Sequence, residues 1–379
     1  MLSDEARGWL RVARCPGLPA RHAAAVVRRA GGAARLARPA RERLRALGVP
    51  ARIAARLSDP ELDRSLEREE EVLARLGAEL LHPGDPRYPW PVAALAVPPP
   101  VIAALGDLDA LRPVAVAIVG SRKASGYGLS MAHHLAAGLA ARGVAVVSGL
   151  ARGIDGAAHR AALDSGGVTI AVLGTGIDRV YPREHRRLAG DIVRRGLLLS
   201  EFPPGAPPLP GHFPRRNRII AGLSLAVVVV EARARSGSLI TAGWALAEGR
   251  DVLAVPGRVG DPGSEGPNGL LREGAAPAIG PEDVIECLPP ALRPAAPGPS
   301  LGSAGTGAAE TGRSHLLELF PRHDPVSIDE LVERAGRGTE EVLAELFDLE
   351  IGGLVEALPG GRYRRRAGAG APAPEGRPI

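Results

Sequence analysis

The sequence predicts an α/β fold built on a doubly wound, mostly parallel sheet, and three observations carry that prediction. Between residues 114 and 286, short apolar runs rich in Val, Ile, Leu and Ala recur at 114–119, 144–148, 168–173, 197–200, 225–230 and 251–255. Continuous apolar runs of this length suit strands covered on both faces. Helix-like segments at 128–141, 154–164, 184–194 and 238–248 lie between most of them, and strand–helix alternation builds a parallel sheet through right-handed crossovers. Finally, stretches rich in Gly, Ser, Thr, Arg and Asn follow the apolar runs, where open parallel sheets bind their ligands.

The rest of the 379 residues divides into further units. Residues 1–75 read as short helices with small-residue loops. Within them, 16-PGLPARHAAAVV-27 and 47-LGVPARIAARL-57 share a Gly-apolar-Pro-Ala-Arg opening before an Ala-rich helix. That is the outline of a helix–hairpin–helix or SAM-like unit, whose Gly turn exposes amides at a helix start; a plain alanine-rich helical hairpin fits the same residues. The Pro-rich stretch 82-HPGDPRYPWPVAALAVPPP-100 leaves little room for regular structure. It opens a lead-in, 82–113, to a central domain over 76–287. Residues 288–312, almost all Pro, Ala, Gly and Ser with few large apolar side chains, predict a flexible linker. Helices at 314–320, 327–335 and 339–353, followed by two short strands around Pro-Gly-Gly, predict a winged helix over 313–366. The tail, 367–379, is expected to be disordered.

Composition sets bounds on function. An apolar fraction of 45% supports a sizeable core, although aromatics make up only 3%. The two cysteines, Cys15 and Cys287, cannot form a disulfide framework and lack metal-ligand spacing, which points to a reducing compartment. No charged region followed by an apolar one opens the chain, and the longest apolar run, 225-LAVVVV-230, is too short to cross a bilayer. A soluble, cytoplasmic protein with no membrane partner is expected. The pI near 9.8 suggests an anionic partner. Lys123 is the only lysine, however, and the Ala, Arg, Gly and Pro bias is that of GC-rich codon usage, so the placement of charge is more informative than its sum. Residues 1–60 carry thirteen Arg against four acids, whereas 61-ELDRSLEREEE-71 carries six acids against two Arg.

The strand ends hold the candidate chemistry. After the first comes the turn Gly120-Ser121-Arg122, after the second Ser148-Gly149, and after the fifth 231-EARARSGSLITAG-243. Glycine permits close backbone approach, helix N-terminal amides favour anions, and arginine offers a fork matched to phosphate. Several of these residues also have plain structural readings. Ser148, Gly149 and Gly153 can end a strand, with Asp155 as a helix N-cap; His159 reads as a packing residue, and Tyr181-Pro182 as a loop shaper. The adjacent His133 and His134 point to different faces and make no metal pair. The sharper signal is 213-FPRRNRIIAGLS-224, where Arg215, Arg216 and Arg218 surround Asn217 beside the aromatic Phe213. Charge beside a stacking platform is what single-stranded nucleic acid needs. No HExxH or GxxxxGK motif is present, and Asp155, Asp178, Glu201 and Glu231 cannot be paired as acid and base from sequence. Neither an enzyme, a metal nor a cofactor is indicated.

Taken in order, GSR, SGLARGIDGAAHRAAL, GTGIDRVYP, SEFPPG, FPRRNRIIAGLS, VVEARARSGSLITA, GRDVLAVPG and NGLLREGA resemble the bacterial DNA-processing protein A (DprA/Smf) family from about Val114 to Glu286. The helical start and winged-helix end resemble accessory domains of its members. The resemblance implies a Rossmann-like domain that binds single-stranded DNA without known catalysis, protects incoming strands in natural transformation, helps load the recombinase RecA and forms a homodimer. Carried over, Arg122 with Ser121 matches the GSR contact with DNA, and Ser148 and Gly149 match the SGL strand end. Arg216, Asn217 and Arg218 match the arginine–asparagine segment, with Phe213 near enough to meet a base. Arg183 matches a position that is often lysine, and Ser236, Gly237, Ser238 and Thr241 match the SGS-x-x-T turn. His185 departs from the family's usual Asn and puts one local hydrogen bond in doubt.

Residues and resemblance predict the same mode: phosphates held by Arg and amides, few readers of base edges, hence salt-sensitive and sequence-independent binding. The rival is a phosphoribohydrolase-like enzyme of the same superfamily, but its PGGxGTxxE loop is replaced here by 233-RARSGSLITAG-243. A sequence-specific regulator is disfavoured because the third helix of the winged unit carries Glu340, Glu341, Glu345, Asp348 and Glu350. These would repel phosphate from a reading helix and instead suggest a protein-facing role.

Overall fold

A computed structural model describes residues 2–294, 315–321, 324–351, 354–358 and 362–365. The expected linker beyond residue 294 and the expected disordered tail lie outside the described residues. The chain forms two compact units, Met1–Pro297 and Gly298–Ile379.

The first unit opens with five helices: α1 (Asp4–Arg14), α2 (Ala23–Ala30), α3 (Arg41–Ala46), α4 (Ala51–Leu57) and α5 (Pro60–Leu76). The two similar pieces do share a turn. Gly17 and Gly48 take φ of 70° and 77°, and Pro19 and Pro50 follow in extended conformation at a helix start. The groups those turns engage are carbonyls rather than amides: Arg56 Nη1 donates to Pro16 O at 2.6 Å and Arg29 Nη1 to Gly48 O at 2.9 Å.

The charge reversal at 61–71 is an internal seam. Arg7, Arg11 and Arg14 fall on one face of α1 at spacings of four and three. They meet Glu70 at 2.8 Å, Asp63, and Glu69 at 2.7 Å on α5. Arg11 is wholly buried, and its guanidinium also donates to Leu57 O at 2.7 Å and Ala37 O at 3.0 Å. The basic character of α1 is therefore spent inside the protein. These helices share one core with the sheet, in which Leu10, Leu66 and Leu73 join Leu173, Ile192 and Leu198.

The sheet has nine strands: β1 (Glu79–Leu81), β2 (Ile102–Gly106), β3 (Ala115–Val119), β4 (Ala145–Ser148), β5 (Thr169–Val172), β6 (Leu197–Ser200), β7 (Ala226–Val229), β8 (Asp251–Ala254) and β9 (Ala276–Pro277). Their order is β1-β2-β6-β5-β4-β3-β7-β8-β9. From β6 to β9 every neighbour is parallel, while β2 is antiparallel to both β6 and β1. All six strands predicted from sequence lie in the parallel part. The lead-in departs from expectation by supplying β2 from 102-IAALG-106. The Pro-rich stretch before it forms only the four-residue helix α6 (Trp90–Ala93).

The connecting helices are α7 (Gly126–Ala140), α8 (Ile154–Asp164), α9 (Arg186–Arg195), α10 (His212–Leu223), α11 (Gly237–Ala247), α12 (Glu265–Arg272) and α13 (Pro281–Cys287). No helix is assigned to 212–223 from the sequence, yet α10 forms there. Pro214 in fact sits in the first turn, where no intrahelical partner awaits its missing N–H. Successive strand residues point to opposite faces. Ala117 and Val119 meet Ile219, Ile220, Ala242 and Ala245 of α10 and α11, whereas Val116 and Ile118 meet Leu135, Leu139, Ala158 and Ala161 of α7 and α8. The strand order reverses at β3, between β4 and β7, and that reversal opens a crevice beyond the C-terminal strand ends.

The second unit contains α14 (His315–Glu318), β10 (Val326–Ser327), α15 (Ile328–Ala335), α16 (Thr339–Ile351), β11 (Val355–Leu358) and β12 (Arg362–Arg365). Its antiparallel sheet runs β10-β12-β11, around a core of Leu316, Phe320, Leu331, Val342, Leu346 and Val355. Strand β10 completes the winged-helix pattern. Glu341 and Glu345 of α16 pair with Arg337, and Arg364 of the wing pairs with Glu356.

Candidate nucleic-acid interface

The crevice at the β3/β7 reversal is a cleft of about 910 Å3. Five cationic side chains line it, Arg122, Lys123, Arg216, Arg233 and Arg235, against the carboxylates of Asp155, Glu231 and Asp261. All three carboxylates are already engaged, Asp261 by Gly263 N at 3.1 Å. Glu231, at the end of β7, accepts from Ser125 N at 2.9 Å and from the Ser125 hydroxyl. It thereby fills the N-terminus of α7, the place beside the first strand where a doubly wound fold usually receives phosphate. Gly128 is required at that contact, since a Cβ there would lie 2.4 Å from the Glu231 carboxyl carbon. Asp155 lies in the first turn of α8, which Gly153 caps, so it is not the N-cap expected. Its carboxylate reaches back to Gly149 N at 3.1 Å and Ala151 N at 3.3 Å, and burial holds its pKa above the ordinary value, against the pull of Arg216.

The floor of the cleft is rigid. Arg216 is 4% exposed, and its guanidinium donates to Gly149 O at 2.8 Å, to Val172 O, and from Nε to Asn217 Oδ1 at 3.1 Å. Burial lowers its pKa to about 10. Asn217 passes the constraint on, donating from Nδ2 to Gly237 O at 3.1 Å. Ser236 caps α11 and its hydroxyl sits 2.8 Å from that of Ser238. The SGS turn is thus held with Gly237 exposed and the amide end of α11 toward the cleft.

The rim is formed by side chains at the surface. The Arg122 guanidinium lies over the Phe213 ring, 5.2 Å from its centroid, and Tyr181 stands 5.7 Å from Phe213 at a tilt of 45°. Arg122, Lys123, Arg233 and Arg235 are exposed. A cationic rim with two aromatic faces can hold phosphates and stack bases. Among the described residues, no three His, Cys, Asp or Glu side chains converge as a metal site would require.

Of the residues singled out in the sequence, Ser121, Arg122, Phe213, Arg216, Asn217, Ser236, Gly237, Ser238 and Thr241 converge on this cleft. Others do not. Ser148 is fully buried and its hydroxyl donates to Ile118 O at 2.6 Å, while Gly149 lies under Arg216. Arg183 is exposed on the turn Arg183–His185 but does not line the cleft. Arg218 turns to the other side of α10, where it donates to Val97 O at 2.7 Å and pairs with the buried Glu201. That corrects the expectation of Arg218 as a rim residue: an arginine one position from Asn217 on a helix is rotated about 100° away. Lys123, Arg233 and Arg235 were not singled out in the sequence, and Tyr181 was read as a loop shaper; all four line the cleft. The flanking RAR before the SGS turn was the available signal.

His185 is buried. Its Nδ1 donates to Leu150 O at 3.0 Å, steadying a loop in which Leu150 holds a left-handed φ of 56°. His159 is a packing residue as read: Thr169 Oγ1 donates to Val146 O, so it accepts from His159 Nδ1 at 2.7 Å.

Comparison with known proteins agrees with this architecture. Residues 79–289 match the family model for DNA recombination-mediator protein A, and 295–361 that for the DprA winged helix domain. The chain is 40% identical to a putative DNA processing protein DprA of Mycobacterium tuberculosis, over 99% of this chain and 98% of that protein. It is 45% identical to the protein Smf of Escherichia coli, over 74% of this chain and 75% of that one. The X-ray structure of DprA from Streptococcus pneumoniae superposes with a TM-score of 0.64 at 36% identity, covering 74% of this chain and 97% of that one. A Helicobacter pylori DNA processing protein A structure, described for its single-stranded DNA binding mode, gives 0.51 at 30% identity, covering 56% and 96%. A nine-stranded Rossmann-like sheet with its switch-point cleft, a winged-helix unit and these matches lead to one conclusion: the chain belongs to the DNA recombination-mediator protein A (DprA/Smf) family.

Proposed function

We propose that this protein binds single-stranded DNA in the cleft beyond β3 and β7, without catalysis, and so shields strands and promotes their loading with the recombinase RecA during transformation and recombination. The observation that carries the reading is the Arg122–Phe213 pair on a cationic rim. A duplex hides its base faces, whereas an unpaired strand can lay a base on Phe213 or Tyr181 and its phosphates on Arg122, Lys123, Arg233 and Arg235. The relative from Helicobacter pylori, described as binding single-stranded DNA, supports it.

The non-catalytic reading rests on the engaged state of Asp155 and Glu231, which hold loop and helix amides rather than standing free as acid and base. The protein acts in the cytoplasm as a homodimer, and the paired acids of α16 give the winged helix a protein-facing role. Among the described residues no helix is long and apolar enough to cross a membrane. A salt-titrated comparison of single-stranded and duplex oligonucleotides tests the central point. Tighter single-strand binding with a steep salt slope is expected; equal affinity for both forms would reject it. Incubation with nucleoside monophosphates should release no free base, and release would favour the phosphoribohydrolase reading.

A further inference from the structure

On the opposite side of α10 from the cleft lies a second cavity, of about 450 Å3, at the seam between the helical unit and the sheet. The helical step explains the division: Phe213, Arg216, Asn217 and Ile220 face the cleft, while Arg215 and Arg218 face the seam. Trp244, one turn past Thr241 on α11, forms one wall, and Leu18 and Ala20 of the helical unit form another.

The seam cavity has the chemistry of a nucleotide subsite. The Glu201 side chain is 1% exposed, and its Oε2 takes Arg218 and, at 3.2 Å, Arg215 Nη2. Its Oε1 lies 3.1 Å from Arg215 Nε as an ion pair but is in no hydrogen bond. That oxygen is paired by charge but not by a hydrogen bond, so a donor that reaches it adds to its stabilisation. Two guanidiniums face this one carboxylate, and the Arg215 side chain is half exposed. Beyond Ala20 the exposed Arg21 continues the positive surface. Helix α10, about 10 Å across, runs between the two cavities.

We infer that the seam cavity takes a further nucleotide of the same unpaired strand that fills the cleft, with its base against Trp244, a base N–H on Glu201 Oε1 and its phosphate on Arg215. The inference rests on the single-strand reading above. It makes Arg215 and Trp244 contacts for long strands only.

A ladder of oligothymidylates, read by fluorescence anisotropy, separates the possibilities. Arg215→Ala with Trp244→Ala should leave the shortest binding rung unchanged and weaken longer rungs at least about fivefold, the loss of one base stack. An equal effect on every rung, or none on any, overturns the proposal. Phe213→Ala should weaken all rungs. If it weakens none while the seam variant weakens the long ones, the cleft reading fails and the seam site stands. Should the seam variant not fold, the wild-type protein still decides: a 5-iodouracil-substituted long strand must photocrosslink to Trp244, and crosslinking confined to cleft residues would refute the subsite.

Discussion

The Arg122 guanidinium rests over the face of Phe213, 5.2 Å from the ring centroid. One residue comes from the loop after β3 and the other from the first turn of α10, so only the folded sheet brings them together. The pair predicts a division of labour. Phe213→Ala should cost about 1–3 kcal/mol of single-strand affinity with little change in salt dependence. Arg122→Ala should weaken binding most at low salt and reduce the slope of log K against log salt by about 0.7. Both are read from anisotropy titrations over a range of salt. A Phe213→Leu variant that binds as tightly as wild type would show that no base stacks there.

Glu231 occupies the anion position at the start of α7, through the amide and hydroxyl of Ser125. Its removal should cost about 1–2 kcal/mol of stability, the scale of a lost helix cap with its charge. Glu231→Ala should also leave that helix end open to solvent anions. Inorganic phosphate should then raise the melting temperature of the variant more than that of the wild type. Equal responses to phosphate would mean that the carboxylate masks no anion site.

Arg218 and Glu201 form a buried pair outside the cleft. Arg218→Ala should therefore act on stability, by up to about 3–5 kcal/mol, because it strips a buried carboxylate of its nearer partner. Arg215, which also reaches Glu201, will recover part of this. The folded variant should keep its affinity for a short oligothymidylate. Loss of that affinity in a protein with an unchanged melting temperature would return Arg218 to the rim.

Burial lowers the pKa of His159 from 6.5 to about 3, with the charges of His185, Arg216 and Arg160 acting in the same direction. The folded value lies below the unfolded one. The contribution of the neutral ring is thus complete above about pH 6.5 and is lost as pH falls toward 3, at roughly 1 kcal/mol per pH unit. His159→Gln removes this titration. Urea melts at about pH 7 and about pH 5 should differ less for the variant than for wild type, and identical differences would contradict the assignment.

The apolar runs of the central segment determined the parallel strands, because a strand buried on both faces leaves a continuous hydrophobic signature. The GSR, FPRRN and SGS segments marked the cleft for a similar reason: strand ends at a switch point collect the residues that bind. Three things needed the tertiary structure. Helix α10 went unassigned in the sequence, and Pro214 takes a place in its first turn. The sequence shows an excess of Arg over 1–60, but only the fold shows that α5 pairs with Arg7, Arg11 and Arg14 of α1. Most of all, sequence could count the arginines of FPRRNR but not aim them. Arg216 turns into the floor, Arg218 to Glu201 and Arg215 to the seam, while the rim is supplied by Arg122, Lys123, Arg233 and Arg235. Side-chain direction follows from helix phase and from which carboxylate folding brings near, and neither is written in the spacing of the residues alone.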